Sequence, residues 1–263
     1  MDSKYKQEVY MHGKKDAIIA LCAYLVVAVL GIVFWFIVTN VELTGFLDLL
    51  VSFALPVIVT GMVFAIVHAK KQSLASIGFH KESMWPALRF GLLIVLIFST
   101  FGVVPGLVYG WEFNSIGAII PLLFTVFILA AFEDIFFVGY IQTRLYGLFK
   151  KDALAILVGA VLFAIIHIPV GLLGDIGADL ISALIGWAVM HLIFVLIFRR
   201  NFSLIPVFIA HTLSNFFRRG GLWVEFNPYY NGLWMYTAEY LVLLLLVILG
   251  IVNWLRFKRR RTT

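Results

Sequence analysis

The amino-acid sequence predicts an all-α polytopic membrane protein with about eight transmembrane helices in a single bundle. Its composition is the first reason: 63% of the 263 residues are hydrophobic and only 13% are charged. The mean hydropathy is +1.04. A soluble globular protein of this composition would have too few polar side chains to cover its apolar surface, so that class is excluded.

Long apolar segments follow one another along the chain and are the second reason. A helix needs about 20 apolar residues to cross about 30 Å of hydrocarbon. Segments of spanning or near-spanning length lie at residues 17–39, 47–69, 87–109, 116–142, 153–169, 178–198, 203–217 and 234–256. The fifth and the seventh are short, which favours helices that tilt little or end in a cavity.

The basic residues predict which helix ends face the cytoplasm. If the N-terminus is inside, every Lys and Arg except Arg218 and Arg219 falls on the inner side. The positive-inside rule therefore predicts that both termini are cytoplasmic. On or near the outer side lie acidic residues, namely Glu42, Glu112, Asp175, Asp179 and Glu225. The basic tail at 256–261 is expected to contact lipids of the inner leaflet, and no nucleic-acid partner is expected.

No linker or repeat interrupts the chain, so we expect one bundle with three parts. These are helices one to three at 1–115, a core of helices four to seven at 116–217, and an outer loop, last helix and basic tail at 218–263. The outer segment 218–232 is either a lid over a cavity or an interfacial loop. Aromatic residues at the expected membrane interfaces predict belts: Trp85, Tyr109, Trp111, Trp223, Tyr229, Tyr230, Trp234 and Tyr236.

The N-terminal region and the single cysteine exclude two further features. We expect no removable signal peptide, because the first apolar run is long enough to span and no cleavage site follows a shorter apolar core. Cys22 is the only cysteine, so an internal disulfide is excluded. We interpret Cys22 as a small buried packing residue.

Polar side chains inside the apolar segments are the candidate functional residues, because ionisable groups in hydrocarbon are costly and are retained for function. Glu133 and Asp134 adjoin in the fourth segment. Two carboxyl groups in a low dielectric cannot both ionise cheaply, so one is expected to exchange protons near neutrality and to act as a general base. We favour Glu133 as this base and Asp134 as its support.

Two further pairs share a helix face at a spacing of four residues. Phe163 and His167 precede Pro169, which is expected to end the fifth helix. His211 and Asn215 place two hydrogen-bonding groups on the seventh helix, the arrangement that an oxyanion site requires. At 1.5 Å per residue Glu133, His167 and His211 lie about 16, 24 and 16 Å from the inner boundary, so all three are near mid-membrane.

Other roles are open to the polar residues. Zinc accepts His and Glu ligands, but no HExxH motif occurs and Asn215 is a poor zinc ligand, so we expect no metal and no other cofactor. His191 and His68 are interpreted as interhelical hydrogen-bonding residues.

The three motifs resemble those of the CPBP family, the CAAX-protease and bacteriocin-processing membrane proteins, also called the Abi family. The family pattern is EExxxR, then FxxxH, then HxxxN, on successive helices of an eight-helix bundle. The first motif begins here at Glu133, the second runs from Phe163 to His167, and the third runs from His211 to Asn215. The resemblance is specific across 116–217.

This resemblance implies a glutamate-type intramembrane endopeptidase. Glu133 and His167 would activate a water molecule, and His211 and Asn215 would stabilise the oxyanion, with Asp134 and Phe163 in support. The implied partners are a peptide or membrane-protein substrate and the lipids of the plasma membrane. Processing of peptide pheromones or bacteriocins, or self-immunity, would be the role.

Two positions depart from the family pattern, and they keep other functions open. Asp134 stands where the family has a second Glu, and Val138 stands where it has Arg. Arg144 cannot replace that Arg easily, because it lies about 16 Å from Glu133 along the helix axis. The alternatives are a weakly active or inactive scaffold that binds a partner membrane protein and, less favoured, a proton-coupled transporter.

Overall fold

The structure is a computed structural model, and it describes residues 8–41, 46–81, 83–149, 151–169, 180–219, 221–224 and 228–262. Among these residues every regular element is helical, and the one isolated β-bridge joins Phe113 to Trp223. The predicted all-α class is confirmed. Glu42, Asp175, Asp179 and Glu225, which the charge pattern assigns to the outer side, lie outside the described residues.

The described helices follow the predicted apolar segments. They are α1 (Lys14–Asn40), α2 (Phe46–Ala69), α3 (Met84–Tyr109), α4 (Ile116–Glu133), α5 (Gln142–Phe149), α6 (Asp152–Ile166), α7 (Leu180–Asn201), α8 (Ile205–Arg218) and α9 (Pro228–Thr262). A π-helical segment, Asp134–Ile141, joins α4 to α5, so the chain is continuously helical over Ile116–Phe149.

Four described helices are long and apolar enough to cross a membrane: Lys14–Ile37, Met84–Tyr109, Ile116–Phe149 and Leu180–Asn201. Shorter apolar helices lie at Phe53–Ala69, Asp152–Ile166 and Tyr236–Val252. Many large apolar side chains point outward, for example Leu25, Val57 and Leu92, which are 62%, 68% and 67% exposed. These features suit a membrane-embedded protein; the count of eight spans and the sides of the termini stay predictions.

Helix α8 lies at the centre of the bundle. It is only 14 residues long, and it packs against α3 and α4 as well as α7 and α9. Pro206 stands in its first turn, where a missing N–H costs no hydrogen bond. Because α8 carries both His211 and Asn215, the helices around it hold these two side chains inside the protein.

Trp223 packs inside the bundle against α3, which corrects one interfacial assignment. Trp223 is predicted to be a belt residue, yet it is 3% exposed and its indole Nε1–H donates to the carbonyl of Gly102 (2.8 Å). A Cβ atom on Gly106 would overlap the indole ring, so glycine permits this packing. Residues 221–224 are therefore fixed against α3, whereas 225–227 lie outside the described residues.

Arg144 lies inside the protein, although the charge pattern assigns it to the inner surface. Its side chain is fully buried. The guanidinium donates to Gln72 Oε1 (2.6 Å), to Thr143 Oγ1 (2.6 Å) and to the carbonyl of Ser76 (3.2 Å). Nearby, burial lowers the pKa of His12 to about 4, with the positive charge of Arg144 as a second cause. Arg144 thus ties α5 to the segment after α2.

Two minor assignments are also wrong. Cys22 is exposed on α1 rather than buried. His68 is exposed at the end of α2, and no interhelical hydrogen bond of its side chain is found among the described residues.

Replacing Gly106 by Ala tests the packing of Trp223. The added methyl group would overlap the indole, and overpacking of this kind costs about 1–3 kcal/mol. We expect a lower apparent Tm for Gly106→Ala in detergent, measured by intrinsic fluorescence. The matched control is Gly61→Ala, whose Cβ meets no atom within 4 Å and which gains helix propensity. If both variants have the same Tm as the wild type, the packing of the Trp223 ring does not require a glycine at position 106.

Candidate active site in the bundle interior

Glu133 and Asp134 lie where the long helix changes its winding. The α-helix ends at Glu133, and the eight residues of the π-helical segment that follows are all buried. Such segments are rare and are frequently found at functional sites. The two neighbouring carboxyl groups face different nitrogen atoms of one ring, that of His211.

Asp134 binds His211 directly. The carboxyl oxygen Oδ1 lies 3.0 Å from His211 Nδ1, and the two side chains are 2% and 4% exposed. A carboxyl–imidazole pair orients the ring and leaves Nε2 as the atom that faces the reactants. Asp134 therefore reaches His211 although its side chain is one methylene shorter than that of Glu.

Glu133 faces two imidazole rings from the opposite direction. Its Oε2 atom lies 3.8 Å from His211 Nε2 and 4.0 Å from His167 Nε2. These separations exceed a direct hydrogen bond. A water oxygen about 2.8 Å from Oε2 and from either Nε2 atom fits this triangle, so the three groups suit the binding of one water molecule.

His167 is held in one tautomer by the backbone. Its Nδ1 lies 2.7 Å from the carbonyl of Phe163. A carbonyl oxygen only accepts, so Nδ1 carries the hydrogen and Nε2 of the neutral ring presents a lone pair towards Glu133. His167 is the first residue after α6, as expected from Pro169 close behind it.

Aromatic side chains pack on both faces of this arrangement. The His167 ring stacks on Trp187 with a centroid distance of 5.0 Å and contacts Phe163 at 4.6 Å. Phe163 in turn stacks on His191 at 5.1 Å. His191 Nε2 and Gln142 Oε1 lie 3.2 Å apart, which confirms the interhelical hydrogen bond expected for His191. The position of His167 thus depends on α5 and α7 as well as α6.

A cavity of about 490 Å³ lies in front of these groups. Glu133, Phe163, His167, His211 and Asn215 all line it, so every residue proposed as catalytic borders the same space. The Asn215 amide makes no hydrogen bond to a described residue and is free to donate into this cavity. Other lining residues include Trp187, Met190, Arg218, Arg219 and Tyr236.

A second, apolar cavity lies on the other side of Glu133 and His167. Its volume is about 280 Å³. Apart from these two residues it is lined by apolar and aromatic side chains of α1, α2, α4, the π-helical segment and the segment around α6, including Phe34, Phe132, Phe137 and Ile166. The carboxyl group of Glu133 therefore borders a polar space and an apolar space.

Val138 and one oxygen of Asp134 are both buried in the core. Val138 is 1% exposed within the core. Asp134 Oδ2 is buried and has no hydrogen-bond partner among the described residues. In the family pattern an Arg stands four residues after this carboxyl group, near the same helix face. The unpartnered oxygen is therefore where the missing cation would be expected to bind.

No group of three or more His, Cys, Asp or Glu side chains in the described part of the chain has the geometry to hold a metal ion. The expectation that the protein needs no metal stays a prediction.

Sequence reasoning misses two features of the cavity. Trp187 is not singled out by any motif, although its place four residues before His191 on α7 puts both rings on one face. Glu239 is 2% exposed on α9 and binds Arg218. An acidic residue inside an apolar helix is the signal that identifies Glu239.

One family model matches the part of the chain that carries these residues. Residues 115–217 match the family model of Rce1-like proteins, described as type II CAAX prenyl endopeptidases. The matched segment contains all three motifs and corresponds to the resemblance to the CPBP family, which is thereby confirmed. Neither the curated proteins nor the solved structures gave a match.

The tautomer of His167 is a direct test of the site geometry. Because Nδ1 donates to a carbonyl, we expect the neutral ring to carry its hydrogen on Nδ1. Nitrogen NMR of protein labelled with ¹⁵N-histidine at pH 8 measures this, with His167→Gln used to assign the signal. A hydrogen found on Nε2 would contradict the structure at this point.

Proposed function

Because residues 115–217 match the model of Rce1-like type II CAAX prenyl endopeptidases, we propose that this protein is a glutamate-type intramembrane endopeptidase. The observation that carries the proposal is the convergence of Glu133 with the Nε2 atoms of His211 and His167, at 3.8 and 4.0 Å, on one cavity. A carboxylate and two imidazoles around a space for water suit the hydrolysis of an amide.

In the first step Glu133 acts as general base. Water bound between Glu133 and His167 gives a proton to the carboxylate, and its oxygen attacks the carbonyl carbon of the peptide bond. The lone pair of His167 Nε2 accepts the water's second hydrogen in a hydrogen bond and so orients the attack. Positioned proton transfer of this kind contributes about 10²- to 10⁴-fold to the rate.

His211 and Asn215 stabilise the negative charge that develops on the carbonyl oxygen. Asp134 binds Nδ1 of His211. In the active form this pair carries two protons, one between Oδ1 and Nδ1 and one on Nε2, so that Nε2–H donates into the cavity. The Asn215 amide, one helical turn along α8, supplies the second donor. Each such donor is worth about 10²- to 10³-fold.

Collapse of the tetrahedral intermediate completes the reaction. Glu133 returns the proton to the amide nitrogen, the C–N bond breaks, and the products are a new carboxyl group and a new amine. Glu133 leaves the cycle ionised, as it entered. No cofactor takes part in this scheme.

The polar and the apolar cavity together suit a substrate that is partly apolar. Glu133 and His167 line the apolar cavity of about 280 Å³ as well as the polar one. A peptide or membrane-protein segment with a large apolar group beside the scissile bond fits both spaces. We place the enzyme in the plasma membrane with both termini inside, where processing of peptide pheromones or bacteriocins, or self-immunity, is the role.

One observation favours a second function. The family Arg is replaced by Val138, and Asp134 Oδ2 has no described partner. A member with a weakened site would act as a membrane scaffold that binds a partner protein. The consequences of changing Glu133 separate the two functions.

Glu133→Gln is expected to abolish hydrolysis with no loss of folding. The amide keeps the shape of the side chain but cannot accept the proton, so we expect at least a 100-fold decrease in kcat/KM. Cleavage of a peptide library by the purified protein, followed by mass spectrometry, measures this. The matched control is Glu112→Gln, which makes the same change outside the cavity. Retained cleavage by Glu133→Gln would reject the mechanism, and intact cellular function without cleavage would favour the scaffold.

Removal of metal ions is expected to leave activity within about twofold of its starting value, because the proposed water is activated by Glu133 and His167 alone. The purified protein is treated with 1,10-phenanthroline or EDTA, and hydrolysis is measured before and after dialysis. Loss of activity that zinc restores would contradict this prediction.

A further inference from the structure

The face of α8 that carries His211 and Asn215 continues to two arginines. Arg218 and Arg219 follow His211 at seven and eight residues, and both line the polar cavity. Spacings of four, seven and eight residues place side chains on one side of a helix. The catalytic donors and the two guanidinium groups therefore border the same space.

Arg218 is neutralised within the protein. Its guanidinium binds both carboxyl oxygens of Glu239 at 2.7 Å, donates to Ser214 Oγ at 3.1 Å and lies 4.1 Å from the centre of the Tyr236 ring. Ser214 also donates to Glu239 at 2.6 Å. With this many partners Arg218 holds α8 to α9 and has little capacity left for a ligand.

Arg219, in contrast to Arg218, forms no ion pair with a described residue. Its side chain is exposed, it lines the cavity, and no carboxyl group among the described residues pairs with it. Since Glu239 compensates Arg218, the charge of Arg219 gives this end of the cavity a net positive field. A guanidinium group presents a planar set of donors that matches a carboxylate.

We propose that Arg219 is a specificity-determining residue that binds a carboxylate of the peptide substrate. Arg219 lies one helical turn, about 6 Å, beyond Asn215 and about 12 Å beyond His211. An extended peptide advances about 3.3 Å per residue, so the carboxylate belongs about two to four residues from the scissile bond. It is either an Asp or Glu side chain or the chain terminus. This inference rests on the proposed endopeptidase function.

The test compares pairs of internally quenched peptides chosen from library members that the wild type cleaves. In one set Asp is compared with Asn at each position within four residues of the cleaved bond. In the other a free C-terminus is compared with its amide. The full-length protein is assayed in phosphatidylcholine nanodiscs, with and without phosphatidylglycerol. The variants are Arg219→Gln and Arg219→Lys, and the charge-matched control is Lys15→Gln, on the exposed surface of α1.

We expect the wild type to prefer the acidic member of one set about tenfold in kcat/KM, mainly through KM. The set that shows the preference identifies the source of the carboxylate. Arg219→Gln should bring the ratio close to one, Arg219→Lys should keep part of it because the charge remains, and Lys15→Gln should keep all of it.

Three results would overturn the inference and leave the proposed function intact. These are equal cleavage of both members by the wild type, an acidic preference that survives in Arg219→Gln, and an Arg219 effect that follows phosphatidylglycerol rather than peptide charge. The last would assign the anion to a lipid phosphate. Failure of the wild type to cleave any library member would instead reject the proposed function and this inference with it.

Discussion

The hydrogen bond between Asp134 and His211 is the contact on which the arrangement of the site depends. It joins the π-helical segment to α8 at 3.0 Å, in surroundings where both side chains are almost fully buried. An unpaired charge there would be strongly unfavourable, and removal of one partner of a buried pair costs about 3–5 kcal/mol. The pair therefore fixes the distance between the two helices that carry the proposed base and the proposed oxyanion donors.

Other contacts in the bundle also position the side chains of the site. Glu133 and Asp134, neighbours in sequence where the π-helical segment begins, face different nitrogen atoms of the His211 ring. Gln142 binds His191, which stacks on Phe163 beside His167, so the second imidazole is also positioned from several helices. The ion pair of Arg218 and Glu239 holds the C-terminal end of α8 to α9. Rigid support of this kind is what pre-organised catalysis requires.

The helices and the main candidate residues can be predicted from sequence because both follow local rules. Long apolar runs predict each long described helix, and spacings of four residues place Phe163 with His167 and His211 with Asn215. Similar depth near mid-membrane predicts that Glu133, His167 and His211 can line one cavity, and the distances of 3.8 and 4.0 Å agree.

What sequence reasoning misses depends on partners far away in the chain. The charge of Arg144 assigns it to the surface, but Gln72 and Ser76 provide buried partners for it. The aromatic pattern assigns Trp223 to an interface, but Gly106 leaves room for its ring inside the bundle and the carbonyl of Gly102 accepts from its indole N–H. The π-helical segment leaves no spacing pattern, because its sequence is apolar on nearly every face.

A double-mutant cycle with Asp134→Asn and His211→Gln tests the central claim most directly, with kcat/KM of peptide hydrolysis as the readout. If Asp134 acts through His211, then His211→Gln alone lowers kcat/KM by about 100-fold or more, and adding Asp134→Asn lowers it little further. Losses that multiply in the double variant would mean that the two residues act independently, and would contradict the dependence of the site on this hydrogen bond.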